Sequence, residues 1–328
     1  MLHWKRTALT VGLSLAFTAT SAMAVWAEPI RMSSRSSNWD IVLIESGIAE
    51  KYGLELEVVP MKTGVEVTEA LIGGSVDVGS VGETPLTSLL SKTDLVSVIG
   101  TAVSTDGGYA QVIVPKDSPI QTIEDLKGKR IATKVGSGSY RALNDWCAKN
   151  GCSLSDFEIL NTSPGAILAA IEAGSVDAGI WFAPTTSIAV AKGFGRIMMN
   201  FSGANEGQAS WVSNRAFAEE NPELVAKFIA ATIEAQRIFS EDPDRAAALL
   251  ETGMQKRGRD LTADILKMGL ADFDYTPSFD PERKVRVFEG VFESLSAAGK
   301  LSGDMPDFKA ALVPDVHAKA LEMVGTGN

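Results

Sequence analysis

At 328 residues the chain is long enough for two ordinary domains. With 45% hydrophobic and 22% charged residues it reads as globular rather than disordered. A formal net charge of -11, with no basic run after residue 27, argues against nucleic acid as a partner, because phosphate binding needs clustered Lys and Arg.

The chain opens on a processing signal. Lys5 and Arg6 give a positive start, and Ala8 to Ala19 is an apolar run too short to span a membrane. Ala22-Met23-Ala24 and Val25-Trp26-Ala27 both end in a small residue suited to cleavage. Cleavage after Ala27 is favoured, with Ala24 as the alternative. No cysteine follows, so lipidation of a new N-terminus is not expected. Loss of 1–27 removes two basic residues and leaves an exported, soluble, still more acidic protein.

Pro29 to Met32 then reads as a short strand, followed by a polar loop from Ser33 to Trp39. Ile41 to Lys51 is an amphipathic helix stopped by Tyr52-Gly53. Leu54 to Pro60 alternates as a half-buried strand, and Val65 to Ile72 is a helix stopped by Gly73-Gly74. Val76 to Gly79 is the next strand, Thr84-Pro85 caps and opens a helix through Leu90, and Val96 to Val103 is another strand. This βαβα rhythm predicts mostly parallel sheets flanked by helices.

Tyr109 to Val114 is rich in strand formers, and after it the rhythm restarts. A short helix over 123–126 leads to a strand over Lys129–Thr133 and a helix opened by Gly136-Ser137-Gly138-Ser139. Strands follow over Phe157–Leu160, Val176–Phe182 and Arg196–Asn200, with a helix over Ala166–Ala173. Ala209 to Ser213 returns as an extended segment. From Asn221 onward the chain reads as helices that pack one lobe and present a surface.

One segment recurs. Gly74-Ser75-Val76-Asp77 is repeated as Gly174-Ser175-Val176-Asp177, with Ala70-Leu71 answered by Ala170-Ile171, Gly79 by Gly179 and Pro85 by Pro184. One pair a hundred residues apart is not a solenoid, which needs several short periods. It predicts two similar lobes facing across a cleft, with Asp77 and Asp177 bracing a corner rather than touching a ligand.

Cys147 and Cys152 are the two cysteines. In an oxidising compartment the C-x4-C spacing across the Asn150-Gly151 turn suits a disulfide. Two reduced, half-buried thiols are the competing reading.

Three stretches resemble the periplasmic substrate-binding proteins of ABC importers, in particular the aliphatic-sulfonate, taurine and nitrate group. They are Val114-Pro115-Lys116-Asp117-Ser118-Pro119-Ile120 with Asp125-Leu126-Lys127-Gly128-Lys129-Arg130-Ile131-Ala132, then Val81-Gly82-Glu83-Thr84-Pro85, and Phe217-Ala218-Glu219-Glu220-Asn221-Pro222-Glu223-Leu224-Val225. The likeness runs from about residue 29 to 240. It implies an α/β, two-lobed periplasmic-binding-protein fold (type II) with two hinge crossings, around Gly107–Val112 and Gly207–Val212. Lobe I would hold 28–108 plus 209–328, and lobe II 109–208. It also implies a monomer in the periplasm, a small-molecule ligand in the cleft, and a membrane permease with a cytoplasmic ATPase as partner. No cofactor and no metal are implied.

Ligands of open α/β sheets bind beyond the carboxyl ends of the strands. That rule selects Arg35, Asn38, Trp39, Gly82, Glu83, Thr84, Asp106 and Tyr109 from lobe I and the first crossing. From lobe II and the return it selects Ser137, Gly138, Ser139, Tyr140, Trp181, Phe182, Glu206 and Trp211. The Gly136–Tyr140 loop opens a helix, so its N–H groups suit an anion. Arg35 suits a sulfonate or carboxylate, and the aromatics suit a pocket wall. Glu83, Asp106 and Glu206 would favour a ligand that also carries an amine, such as taurine. Thiamine-precursor pyrimidines and small aromatic acids are alternative ligands, and a ligand-sensing partner of a membrane receptor is an alternative role.

An enzyme is disfavoured. After residue 27 the sole histidine is His317, so Ser-His-Asp, Cys-His and zinc arrangements would all depend on it. The cysteine-rich segment of the related thiamine-pyrimidine synthases is absent.

Overall fold

A computed structural model describes residues 28–325, so the expected export signal over 1–27 lies outside the described residues. In chain order the first half contains β1 (Glu28–Ser34), α1 (Asn38–Glu45), α2 (Ile48–Lys51), β2 (Leu54–Pro60), α3 (Gly64–Ile72), β3 (Val78–Gly82), α4 (Glu83–Leu90) and β4 (Val96–Thr105). Next come β5 (Gln111–Pro115), β6 (Arg130–Thr133), α5 (Gly138–Asn150), β7 (Glu158–Asn161), α6 (Pro164–Glu172), β8 (Ala178–Trp181), α7 (Thr185–Ala191) and β9 (Gly195–Asn200). The last part is β10 (Gly207–Asn214), α8 (Arg215–Glu220), α9 (Pro222–Glu241), α10 (Pro243–Lys256), α11 (Ala263–Lys267), α12 (Pro281–Ala297) and α13 (Pro314–Gly325).

The strands form two five-stranded sheets, ordered β2-β1-β3-β10-β4 and β7-β6-β8-β5-β9. The two orders are the same diagram. In each, the second, first and third strands run parallel, and the fourth is separated from them by one antiparallel strand that arrives from the other sheet. The expected mostly parallel sheets flanked by helices are therefore present, each with one reversed strand. We call the first sheet with its helices lobe I and the second lobe II.

Local chemistry sets the elements. Ile30 and Met32 on β1 point into a core against α9, while β2 is an edge strand whose exposed Glu55 and Glu57 discourage further pairing. The inner strand β10 and the end strand β4 beside it are buried almost throughout, which removes any alternation from their sequences. Gly47, with φ 71°, breaks the expected Ile41–Lys51 helix into α1 and α2.

Each Gly-Ser-Val-Asp copy builds the same corner. Gly74 and Gly174 end α3 and α6 at φ 65° and 66°, a conformation that costs glycine nothing sterically. Ser75 Oγ and Ser175 Oγ then donate to Ala70 O and Ala170 O at 3.2 and 3.1 Å. Arg31 N donates to Asp77 Oδ2 at 2.8 Å and Asp77 N donates to Arg31 O at 2.8 Å; Arg130 and Asp177 repeat both bonds at 2.9 Å. The two aspartates brace the first strand of each sheet, as the repeat predicts.

The expected crossings over Gly107–Val112 and Gly207–Val212 need correction, because Gln111 already belongs to β5 and Gly207–Val212 to β10. The chain crosses over residues 106–110 and 201–206. The two passes touch: Phe201 N donates to Ala110 O at 3.1 Å and Asn205 N to Asp106 O at 3.3 Å. Gly107 sits at φ 97°, and a Cβ there would lie 2.7 Å from Phe201 O.

Candidate functional site

The lobes meet where α4 and α5 begin. Gly82, not Thr84, is the N-cap of α4, so Glu83 and Thr84 occupy its first turn. Ser137 caps α5, accepting from Tyr140 N at 3.2 Å, which places Gly138 and Ser139 in that helix's first turn. Thr84 is 3% exposed and Ser139 1%, and neither buried hydroxyl has a hydrogen-bond partner. Unpaired buried hydroxyls carry a desolvation cost, which a ligand acceptor would relieve.

Arg141, one turn into α5, joins the lobes. Its Nη1 lies 3.6 Å from Glu83 Oε1, its Nε 3.0 Å from Asp145 Oδ2, and Nη1 donates to Glu206 O at 3.3 Å. Asp145 in turn accepts from Asn205 Nδ2 at 2.9 Å and Ser294 Oγ at 3.0 Å. Burial pushes the Glu83 carboxyl above its ordinary range, against the pull of Arg141. Behind Glu83, the buried Lys284 donates to Ser210 Oγ at 2.8 Å, and burial pulls its ammonium down to about 7.

Beside this ionic seam stands an aromatic wall. Tyr109 stacks on Phe273 (centroids 5.4 Å) and tilts against Phe182 (5.9 Å), and Trp39 meets Phe273 edge-on at 6.1 Å. The Trp39 Nε1–H is buried without an acceptor. Asn38 Nδ2 donates to Tyr275 Oη at 3.1 Å. Gly138 is required: a Cβ there would fall 2.1 Å from Tyr109 Oη. Half-buried Arg35 donates from Nε to Ser80 O at 3.3 Å and forms no ion pair among the described residues. Burial lowers its pKa, with Asp40 opposing.

A cavity of about 480 Å³ opens from the same junction, with Thr84, Ser137, Tyr140 and Arg141 in its wall.

Four sequence expectations need correction. Trp211 is 1% exposed and packs edge-on to Phe228 in the lobe I core, because alternation along β10 turns it toward α9. Trp181 stacks on Phe182 at 4.8 Å but belongs to the lobe II core, with Ile113 and Ala189. Asp106 is committed to the crossing, accepting from Ser202 Oγ, Gly108 N and Gly203 N, and these bonds hold its carboxyl below the usual range. Glu206 turns its carboxylate toward Arg283, 3.6 Å away. With two of the three acids turned away, the argument for a ligand amine loses its basis. Arg35, Asn38, Trp39, Gly82, Glu83, Thr84, Tyr109, Ser137, Gly138, Ser139, Tyr140 and Phe182 do gather around the junction.

Sequence reasoning missed Arg141, Phe273 and Lys284. The i,i+4 pair Arg141–Asp145 was readable as a helix-face signal. Phe273 and Lys284 gave none, and they correct the reading of the last third as plain packing. Gln111 Nε2 donates to Asp272 Oδ2 at 2.9 Å, so this C-terminal segment reaches lobe II. Cys147 and Cys152 form a disulfide. Among the described residues there is no metal-holding group of His, Cys, Asp or Glu, and no helix long and apolar enough to cross a membrane.

Comparison with known proteins places this geometry among relatives. The family described as NMT1/THI5 like matches residues 41–246. A putative aliphatic sulfonates-binding protein of Escherichia coli (strain K12) is 29% identical over 72% of this chain and 75% of its own. The taurine-binding periplasmic protein of the same organism is 28% identical over 72% and 73%. The crystal structure of the periplasmic aliphatic sulphonate binding protein from Escherichia coli superposes with a TM-score of 0.74 at 23% identity, over 87% of this chain and 92% of that one. The fold is not confined to binding proteins: a desulfurization enzyme superposes with a TM-score of 0.65 at 16% identity, over 90% and 99%.

Proposed function

The chain belongs to the NMT1/THI5-like family, and from that premise we propose that it is the extracytoplasmic solute-binding component of an ABC importer. It captures a small sulfonate-class anion, taurine included, between lobes I (28–108 plus 209–328) and II (109–208). The observation that carries this reading is the pair of unpartnered buried hydroxyls, Thr84 Oγ1 and Ser139 Oγ. They stand on the first turns of two helices, one from each lobe. Two helix N-termini and two hydroxyl donors suit a tetrahedral anion with three acceptor oxygens.

Ligand capture works by differential stability. An anion between the two first turns satisfies donors from both lobes at once, so it favours the closed arrangement over one with the lobes apart. The touching passes at 106–110 and 201–206 form the hinge. The aromatic wall of Trp39, Tyr109, Phe182 and Phe273 shields one side of the junction from water, and the closed form is delivered to the permease. The relatives' names support a periplasmic location. No residue is assigned a catalytic role, and among the described residues neither hydroxyl hydrogen-bonds a base.

A thermal-shift screen of taurine, ethanesulfonate, nitrate, an aminopyrimidine and benzoate tests the reading. At 100 times Kd a sulfonate should stabilise the protein by about 2.7 kcal/mol by mass action. Thr84→Val with Ser139→Ala should abolish that shift. A melting temperature raised by the pyrimidine or benzoate but by neither sulfonate would overturn it.

A further inference from the structure

The cavity of about 480 Å³ extends well beyond the junction, and its charge runs against that of the chain. Its walls are α3, the start of α5, and α4 and α12, the last two lying side by side. Both α4 and α12 start at the buried seam, where Glu83 opens α4 and Lys284 sits in the first turn of α12. Both then run outward. From Thr84 to Leu90, α4 covers about 9 Å at 1.5 Å per residue, and Lys92 follows just past its end. Lys300 follows the end of the longer α12, and both lysines line the cavity; the direction of the two helices puts them toward the end away from the seam, its mouth.

The lining is thus graded. Along α4 the lining passes from Thr84 at the seam through Pro85 and Leu89 to Lys92, and along α12 from Leu295 to Lys300, while Arg141 and the start of α5 stand at the seam. Among the described residues neither lysine has an ion-pair partner. Glu69 is the one carboxylate in the wall, against Lys92, Lys300 and an Arg141 already paired with Glu83 and Asp145, in a chain of net charge -11. A ligand ammonium at the mouth would meet two like charges, whereas an anion there would be attracted. A single small anion at the inner end would leave the apolar stretch and both lysines unused.

We propose that this cavity takes an organic dianion: an apolar ring or short chain with one acidic group at the inner helix N-termini and a second between Lys92 and Lys300. This rests on the sulfonate reading above, since the inner group is the anion proposed there. The apolar body lies along Pro85, Leu89 and Leu295, and the mouth lysines select for the second charge. The same charge pattern disfavours taurine-like zwitterions relative to dianions of similar length.

Calorimetric titration of the purified protein with benzenesulfonate and 4-sulfobenzoate separates the two readings. The second compound should bind about tenfold more tightly than the first. In Lys92→Gln/Lys300→Gln, both exposed positions, that ratio should fall to near one while the Kd for benzenesulfonate stays within twofold. Equal affinities in the wild type, or a ratio that survives in the double variant, would overturn the dianion proposal and leave the sulfonate reading standing. Binding of neither compound by a folded protein would overturn both.

Discussion

The two Gly-Ser-Val-Asp corners share their turn, their serine back-bond and their arginine brace, yet they sit in different surroundings. The Asp77 side chain is 7% exposed, whereas that of Asp177 is 31% exposed. Asp77 lies under lobe I, where its carbonyl also accepts from Ser213 Oγ on the returning strand β10 at 2.9 Å. Asp177 is only half-buried in lobe II. The same four residues therefore make one buried brace and one surface brace. The strands that follow diverge further: β3 delivers the charged turn Glu83-Thr84, and β8 delivers the aromatic pair Trp181-Phe182. Lobe II recovers a charge for the site from another element, Arg141 on α5. Repetition in this molecule fixes the scaffold, and each lobe's burial decides what a copy is worth.

The contact between the lobes should be the costliest to break. Arg141→Met leaves Glu83 and Asp145 buried without their cation, so chemical denaturation should show a loss of about 3 kcal/mol or more. A loss near zero would mean the seam is open in solution. The corner comparison comes next: Asp77→Ala should cost about 3 kcal/mol and Asp177→Ala about 1 kcal/mol, because a charged hydrogen bond matters more when screened from water. Equal losses would break the comparison. Lobe II alone carries a covalent staple. Cys147→Ser/Cys152→Ser should cost about 2 kcal/mol, as closing so short a loop removes little chain entropy, and hydrogen exchange should loosen lobe II before lobe I.

The smallest effect lies where the C-terminal segment leans on lobe II. Burial raises the Asp272 carboxyl to about 6. Its folded value exceeds its unfolded one, so the folded state binds the proton more tightly. The resulting destabilisation is present above about pH 6 and is relieved as pH falls toward about 4. Asp272→Asn should therefore be more stable than the wild type at pH 8, by about 1 kcal/mol after allowance for partial exposure. The two proteins should converge near pH 4, as thermal melts across that range would show.

Much of this was legible in the residues. The βα rhythm, the helix stops at Gly74, Gly151 and Gly174, the turn between the cysteines and the two helix-opening loops are signals written within a few positions of the chain. Local steric and hydrogen-bonding preferences act over that range, so a sequence determines them directly. The duplicated corner was legible for the same reason, and it carried the inference of two like lobes.

What only the tertiary structure decided were choices between faces and between distant partners. Trp211 lies in a strand buried on both sides, where no alternation tells which face a side chain takes. Asp106 reads as a cleft acid until residue 202 arrives beside it from 96 positions away. Glu83 and Arg141 belong to different lobes, and Phe273 and Lys284 come from a part of the chain that reads as plain helix. Burial and electrostatic pairing depend on distances in space, and the order of strands within the two sheets sets those distances.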